Sequence, residues 1–243
     1  MKNIVTRPTK QIYQNYTKED FKVWNILFKR QLKNLNDIVA EEFIVALKEL
    51  NFRAEKIPNF IEINNTLKNT TGWTIKTVPN ISPPEEFFSY LSKKKFTTTC
   101  WLRSMSQIDY LEEPDMFHDV FAHVPLLSNK EYTSFFKEIG QIAMSVIDDP
   151  VKLKKLQRIY WFTIEFGLIK KHDKFKIYGA GIISSKEESK NVLSNKSKKK
   201  KFDVNRVMNH SFKIDVVQET YYYIDSFEEL TLSLDEIRKN IHL

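Results

Sequence analysis

In the run Ile159-Tyr-Trp-Phe-Thr-Ile-Glu-Phe-Gly-Leu-Ile169 only Glu165 carries a charge. At helical spacing its neighbours are Trp161, Ile164, Leu168 and Ile169, so the carboxylate is expected to point into the protein. An ionised carboxylate taken out of water is costly unless it is paired. Whatever this chain folds into must therefore bring a partner to Glu165. A lysine or arginine, a proton held by a raised pKa, or a metal ion would each serve.

Two of the five histidines supply candidates for that partner. His118 and His123 lie in Pro114-Asp-Met-Phe-His-Asp-Val-Phe-Ala-His-Val-Pro125. On an α-helix, residues four apart differ by ~40° and share a face, whereas residues five apart differ by ~140°. A regular helix cannot aim both rings at one point. Pro125 suggests a solution, because it disfavours helical geometry at Val124. The helix is then expected to end near His123, whose ring swings back toward His118. This differs from the His-Glu-x-x-His zinc pattern, in which an unbroken helix aligns both ligands. By themselves the two rings could equally be a core or surface pair. Together with Glu165 they form the protein's share of a facial triad for non-haem Fe(II), with positions left open for oxygen chemistry. Such an ion needs neutral imidazoles and a charged carboxylate, so it would satisfy all three residues at once.

The remaining sequence predicts a mainly α fold with a small β component, an α+β arrangement in a single domain over 1–243. A length of 243 residues suits one domain, and only five glycines argue against a turn-rich all-β fold. Thr17 ahead of Glu19-Asp20 and the rhythm Phe21, Trp24, Leu27, Phe28 predict an N-capped helix. A second helical pattern covers 38–50. A short helix opens at Pro58-Asn59 and closes near Gly72, and Ser82-Pro-Pro-Glu-Glu86 starts another. Residues 96–102 read as a strand, 130–147 and 151–171 as long helices, 175–178 and 216–224 as strands, and 227–241 as a closing helix.

Cys100 is the single cysteine, which excludes an internal disulfide and points to a reducing compartment. The stretch Met1-Lys-Asn-Ile-Val-Thr-Arg-Pro-Thr-Lys10 has no apolar core for a leader, and no run approaches membrane-spanning length. A soluble cytoplasmic protein is expected. The net charge of +7 raises the possibility of a basic nucleic-acid-binding module. The longest basic run, Lys196-Ser-Lys-Lys-Lys-Lys201, has no interleaved aromatics on which bases could stack and reads as a solvated loop. No nucleic-acid or membrane partner is therefore expected.

Three strings carry a resemblance: Glu113-Pro-Asp-Met-Phe-His-Asp-Val-Phe-Ala-His-Val-Pro-Leu-Leu127, Ile159-Tyr-Trp-Phe-Thr-Ile-Glu-Phe-Gly-Leu168 and Ile177-Tyr-Gly-Ala-Gly-Ile-Ile-Ser-Ser185. In these the chain resembles the biopterin-dependent aromatic amino acid hydroxylases, most of all the short bacterial phenylalanine hydroxylases. Weaker likeness extends the match over about 11–228. The resemblance implies a single catalytic domain of that family's type. It implies iron ligands at His118, His123 and Glu165, and substrate contacts at Arg103 (for the α-carboxylate), Trp161 and Ser184. It implies pterin contacts at Phe87, Asp119 and Tyr160. Its reaction joins Fe(II), a tetrahydropterin and O2 to convert L-phenylalanine to L-tyrosine, with tryptophan or tyrosine as alternative substrates. A zinc hydrolase using the same histidines is a rival outside the family. The longer animal members carry a regulatory domain and a tetramer-forming tail, for which this chain has no room, so a monomer is expected. One departure stands out: Ala122 replaces the usual glycine before the second histidine. If that position needed a positive φ, alanine would cost on the order of 1 kcal/mol.

Overall fold

The computed structural model describes residues 7–109 and 111–242; residues 1–6, the start of the stretch read for a leader, lie outside them. Helix α1 (Lys18–Leu35) begins as expected: the Thr17 hydroxyl accepts from the Asp20 N–H while the Asp20 carboxylate accepts from the Thr17 N–H. Helix α2 (Glu41–Glu49) starts later than its apolar pattern, because Val39 forms a bridge to Ile177: the Ile177 N–H donates to the Ile38 carbonyl and the Ala40 N–H donates to the Ile177 carbonyl. Helix α3 (Phe60–Thr70) is capped by the Asn59 side chain. Strand β1 (Thr74–Thr77), helix α4 (Pro84–Ser92) and strand β2 (Lys95–Thr98) follow, with β1 and β2 pairing in parallel. The expected strand over 96–102 thus stops at Thr98. Beyond it the backbone turns toward the site, and Trp101 accepts from Met116 N–H through its carbonyl.

The largest departures come next. Phe117–His123 is a π-helical turn, followed by a 3₁₀ turn (Pro125–Ser128), helix α5 (Lys130–Ser145) and helix α6 (Pro150–Tyr160). The expected helix over 151–171 ends at Tyr160. A second π turn (Trp161–Glu165) succeeds it, closed by the Phe166 N–H on the Trp161 carbonyl, and then the chain enters strand β3 (Gly167–Lys171). The run is apolar on every side, so periodicity could not separate helix from buried strand. Strand β3 turns back through His172 and Asp173, both at positive φ, into strand β4 (Lys174–Ile177). Helices α7 (Ala180–Ser184) and α8 (Lys186–Asn191) lead to strand β5 (Lys198–Lys201), helix α9 (Val204–Asn209) and strand β6 (Thr220–Ile224). The lysine run expected as a loop is therefore an edge strand, paired in parallel with β6, and lysines suit an edge that must not recruit another chain. The four-stranded sheet has the order β4-β3-β6-β5. The closing helix is split at Ser233 into α10 (Phe227–Leu232) and α11 (Leu234–His242). Helix dominates, with two small sheets, as expected.

The core packs against the first π turn. Phe117 and Phe121, four residues apart on its inner side, stack at 4.6 Å between ring centroids, and Trp24 of α1 meets Phe117 at 5.7 Å. Phe28 and Phe43 close on Phe121. This aromatic cluster anchors one face of the turn and leaves the other for His118 and His123.

Candidate active site

The five-residue spacing of the histidines is resolved by the helix itself. A π turn closes i→i+5 hydrogen bonds, so residues five apart sit one above the other. Val124 remains helical at φ −63 and ψ −36, which overturns the expectation that Pro125 swings His123 back. The His118 and His123 Nε2 atoms lie 3.2 Å apart. The second π turn delivers Glu165, whose Oε1 is 3.1 Å from His123 Nε2 and whose Oε2 is 3.7 Å from His118 Nε2. All three donor atoms fall within 4.8 Å of one another. Glu165 reaches this point from a π turn followed by a strand. Leu168 and Ile169, expected to share a helical face with it, belong to β3. Its backbone is gripped from the 179–181 segment: a Cβ on Gly179 would lie 2.5 Å from the Glu165 carbonyl oxygen, and one on Gly181 would lie 2.7 Å from Phe166 Cζ.

The donor set suits a metal ion. Neighbouring ligands on an octahedral face with metal–ligand distances of ~2.1 Å stand roughly 3 Å apart, close to the spacings seen here. His118 Nδ1 is 2.8 Å from Ser184 Oγ, and that hydroxyl donates to the Ala180 carbonyl. Ser184 is left to accept from His118 Nδ1–H, so Nε2 presents its lone pair to the shared point. Burial, opposed by the charge of Glu165, lowers the His118 pKa to about 4 and keeps the ring neutral. Burial alone would raise the Glu165 pKa, but His123, His118 and Tyr160 outweigh it and hold the carboxylate below its ordinary range. His123 is 2% exposed, and its Nδ1 is a buried nitrogen with no hydrogen-bond partner. Neutral imidazole and charged carboxylate are the states a divalent cation requires.

The other expected residues fall into two groups around this point. Arg103 lies beside it, clamped by Asp115: Nε–Oδ2 is 2.9 Å and Nη2–Oδ1 is 2.8 Å. The fully buried Asp115 also accepts from the backbone N–H of Arg103 and of His118, so one carboxylate locks a cation to a ligand. Asp115 went unnoticed in the sequence, although an acid three residues before His118 within the same motif was a usable signal. Ser184, expected on the substrate side, is seen holding His118. Trp161 stacks on Phe212 at 4.3 Å, meets Phe166 at 4.6 Å and donates its indole N–H to Gln218 Oε1 at 3.1 Å. Its side chain thus meets Phe166 and the 212–218 segment rather than the three donor residues.

In the second group, Tyr160 and Phe87 pack edge to face at 5.2 Å, Phe87 meets Phe96 at 6.3 Å, and Phe96 lies 4.9 Å from His123 between ring centroids. Burial, then the charge on Glu165, raises the Tyr160 phenol well above its ordinary pKa. Asp119 turns its carboxylate onto the Thr99 N–H (2.7 Å) and hydroxyl (2.8 Å), yet burial still raises its pKa to about 7. Ala122 is buried inside the π turn. The left-handed non-glycine residues among those described are Asp37, Asn51, Lys94, His172 and Asp173, so alanine is unstrained at 122.

Comparison with known proteins agrees with this geometry. A family model described as biopterin-dependent aromatic amino acid hydroxylase matches residues 6–242. The phenylalanine-4-hydroxylase of Chromobacterium violaceum is 41% identical over 179 residues, 74% of this chain and 60% of that enzyme. The Pseudomonas aeruginosa enzyme is 35% identical over 186 residues, 76% of this chain and 70% of that one. The match therefore spans 60% of the length of the former relative. The crystal structure of C. violaceum phenylalanine hydroxylase with iron(III) and 7,8-dihydrobiopterin bound superposes with a TM-score of 0.89 and 39% identity, covering 98% of this chain and 85% of that one.

Proposed function

Because the chain belongs to the biopterin-dependent aromatic amino acid hydroxylases, we propose that it is an iron- and tetrahydropterin-dependent monooxygenase converting L-phenylalanine to L-tyrosine. The observation that carries this reading is the convergence of His118, His123 and Glu165 donors within 4.8 Å. When bound together, Fe(II) and the pterin would supply the activation of O2. The chain's own residues do the rest. His118, His123 and Glu165 would hold the ion through two imidazole nitrogens and one carboxylate. Arg103, with N–H groups remaining beyond its clamp on Asp115, receives the α-carboxylate of the amino acid. Trp161, beside Phe166, walls the aromatic side chain and keeps water away. Ser184 contributes by setting the His118 tautomer. Phe87, Tyr160 and Asp119 form the side facing the pterin.

The assay supplies Fe(II), a tetrahydropterin and each aromatic amino acid in turn. Tyrosine from phenylalanine is the expected product; hydroxylation of tryptophan or tyrosine alone would move the substrate, and none at all would end the reading. We further propose a cytoplasmic monomer. Cys100 is free and buried, and no helix among the described residues is long and apolar enough to cross a membrane. Light scattering that reports more than one chain mass would refute the monomer.

A further inference from the structure

Gln218 is 7% exposed, and each of its polar groups is engaged. Its backbone N–H donates to Glu188 Oε1 at 2.9 Å, and its carbonyl accepts from Asn191 Nδ2 at 2.7 Å. Its side-chain nitrogen donates to the Lys213 carbonyl (3.0 Å) and the Val216 carbonyl (2.9 Å), tying the 213–216 segment to itself. That leaves Oε1, which accepts from the Trp161 indole N–H. The same segment carries Phe212, stacked on Trp161 at an interplanar angle of 13°. Glu188 is itself buried, and the Tyr221 hydroxyl donates to its other oxygen. Buried polar groups that are all satisfied rigidify what they connect. Here the connected object is the indole at the head of the π turn that ends on Glu165.

We infer that Gln218, anchored by Glu188, is the positioning residue that sets the orientation of the Trp161 ring against the aromatic side chain of the substrate. The inference rests on the proposed role of Trp161 as a wall of that pocket. Without Gln218 the indole N–H loses its acceptor, the 213–216 segment loses its tie, and the ring is free to turn away from the pose that fits a single six-membered ring. Glu188 and Gln218 therefore act on substrate fit through Trp161 and touch neither the iron ligands nor the pterin side.

The test is a double-mutant cycle of Gln218→Leu and Trp161→Phe, read as KM for phenylalanine, KM for the pterin, kcat and bound iron. Gln218→Leu should raise the KM for phenylalanine about ten-fold, as loss of one buried hydrogen bond implies. Pterin KM and iron content should stay unchanged. In the Trp161→Phe background, which has no indole N–H, Gln218→Leu should add little further. An unchanged KM, or an equal effect in both backgrounds, would overturn the inference. Trp161 emission, taken as the difference between proteins with and without Trp161→Phe, gives a readout independent of turnover. Gln218→Leu should shift it to the red, and an unshifted spectrum refutes the link even if the wild-type chain hydroxylates none of the amino acids offered.

Discussion

At the scale of single residues, the site depends on charge and tautomer as much as on position. Glu165→Gln keeps the shape of the side chain but removes the charge that both histidines face. Iron retention should fall sharply while the fold survives. Metal analysis alongside circular dichroism checks this, and full iron content in the variant would remove Glu165 from the ligand set. Ser184→Ala is subtler: it deletes the acceptor that fixes the Nδ1–H tautomer of His118. Outer partners of ligand histidines are typically worth 10–100-fold in metal affinity, so a Kd for Fe(II) weakened by about that factor is expected. His118, His123 and Glu165, whose donor atoms the structure brings together, were legible in the sequence from residue type and spacing, whereas Arg103 entered only through the family resemblance. Ser184 was read for a different role, and Asp115 and Gln218 were not singled out: the Arg103 partner of Asp115 lies 12 residues away and the Trp161 partner of Gln218 lies 57 away.

At the scale of elements, the π turns decide the chemistry. The histidine spacing already excluded a regular helix, but the sequence offered Pro125 as the visible irregularity and drew the explanation to the wrong place. A π turn leaves little mark on composition; it persists because Phe117 and Phe121 pack under Trp24 on one side while the rings meet on the other. Helix starts, by contrast, follow from local hydrogen bonding and were readable. The Thr17 cap is a case in which a local device can be measured alone: Thr17→Ala should cost about 1 kcal/mol in chemical denaturation, without changing iron binding. The short strands β1 and β5 escaped notice because pairing, not propensity, makes them strands.

At the scale of the whole molecule, buried titratable groups outside the metal site link stability to pH. Burial raises the pKa of Glu188 above 4.5, against the lowering effect of its hydrogen bonds from Tyr221 and Gln218. A carboxylic acid with a raised folded pKa favours the fold while it is protonated. Its contribution is fully present below the unfolded value of 4.5 and is lost as pH rises through the folded pKa. Glu188→Gln cannot ionise, so its stability relative to wild type should improve as pH climbs through this window. Denaturation midpoints at a series of pH values test this, and a constant difference between the two proteins would contradict it.

The sequence alone determined which side chains are chemically competent to hold a metal, and which stretches start helices, because residue type and capping act locally. Only the tertiary structure decided how those side chains meet. Convergence of residues from 103 to 218 depends on π turns, strand pairing and buried hydrogen bonds whose energies come from contacts far apart in the chain.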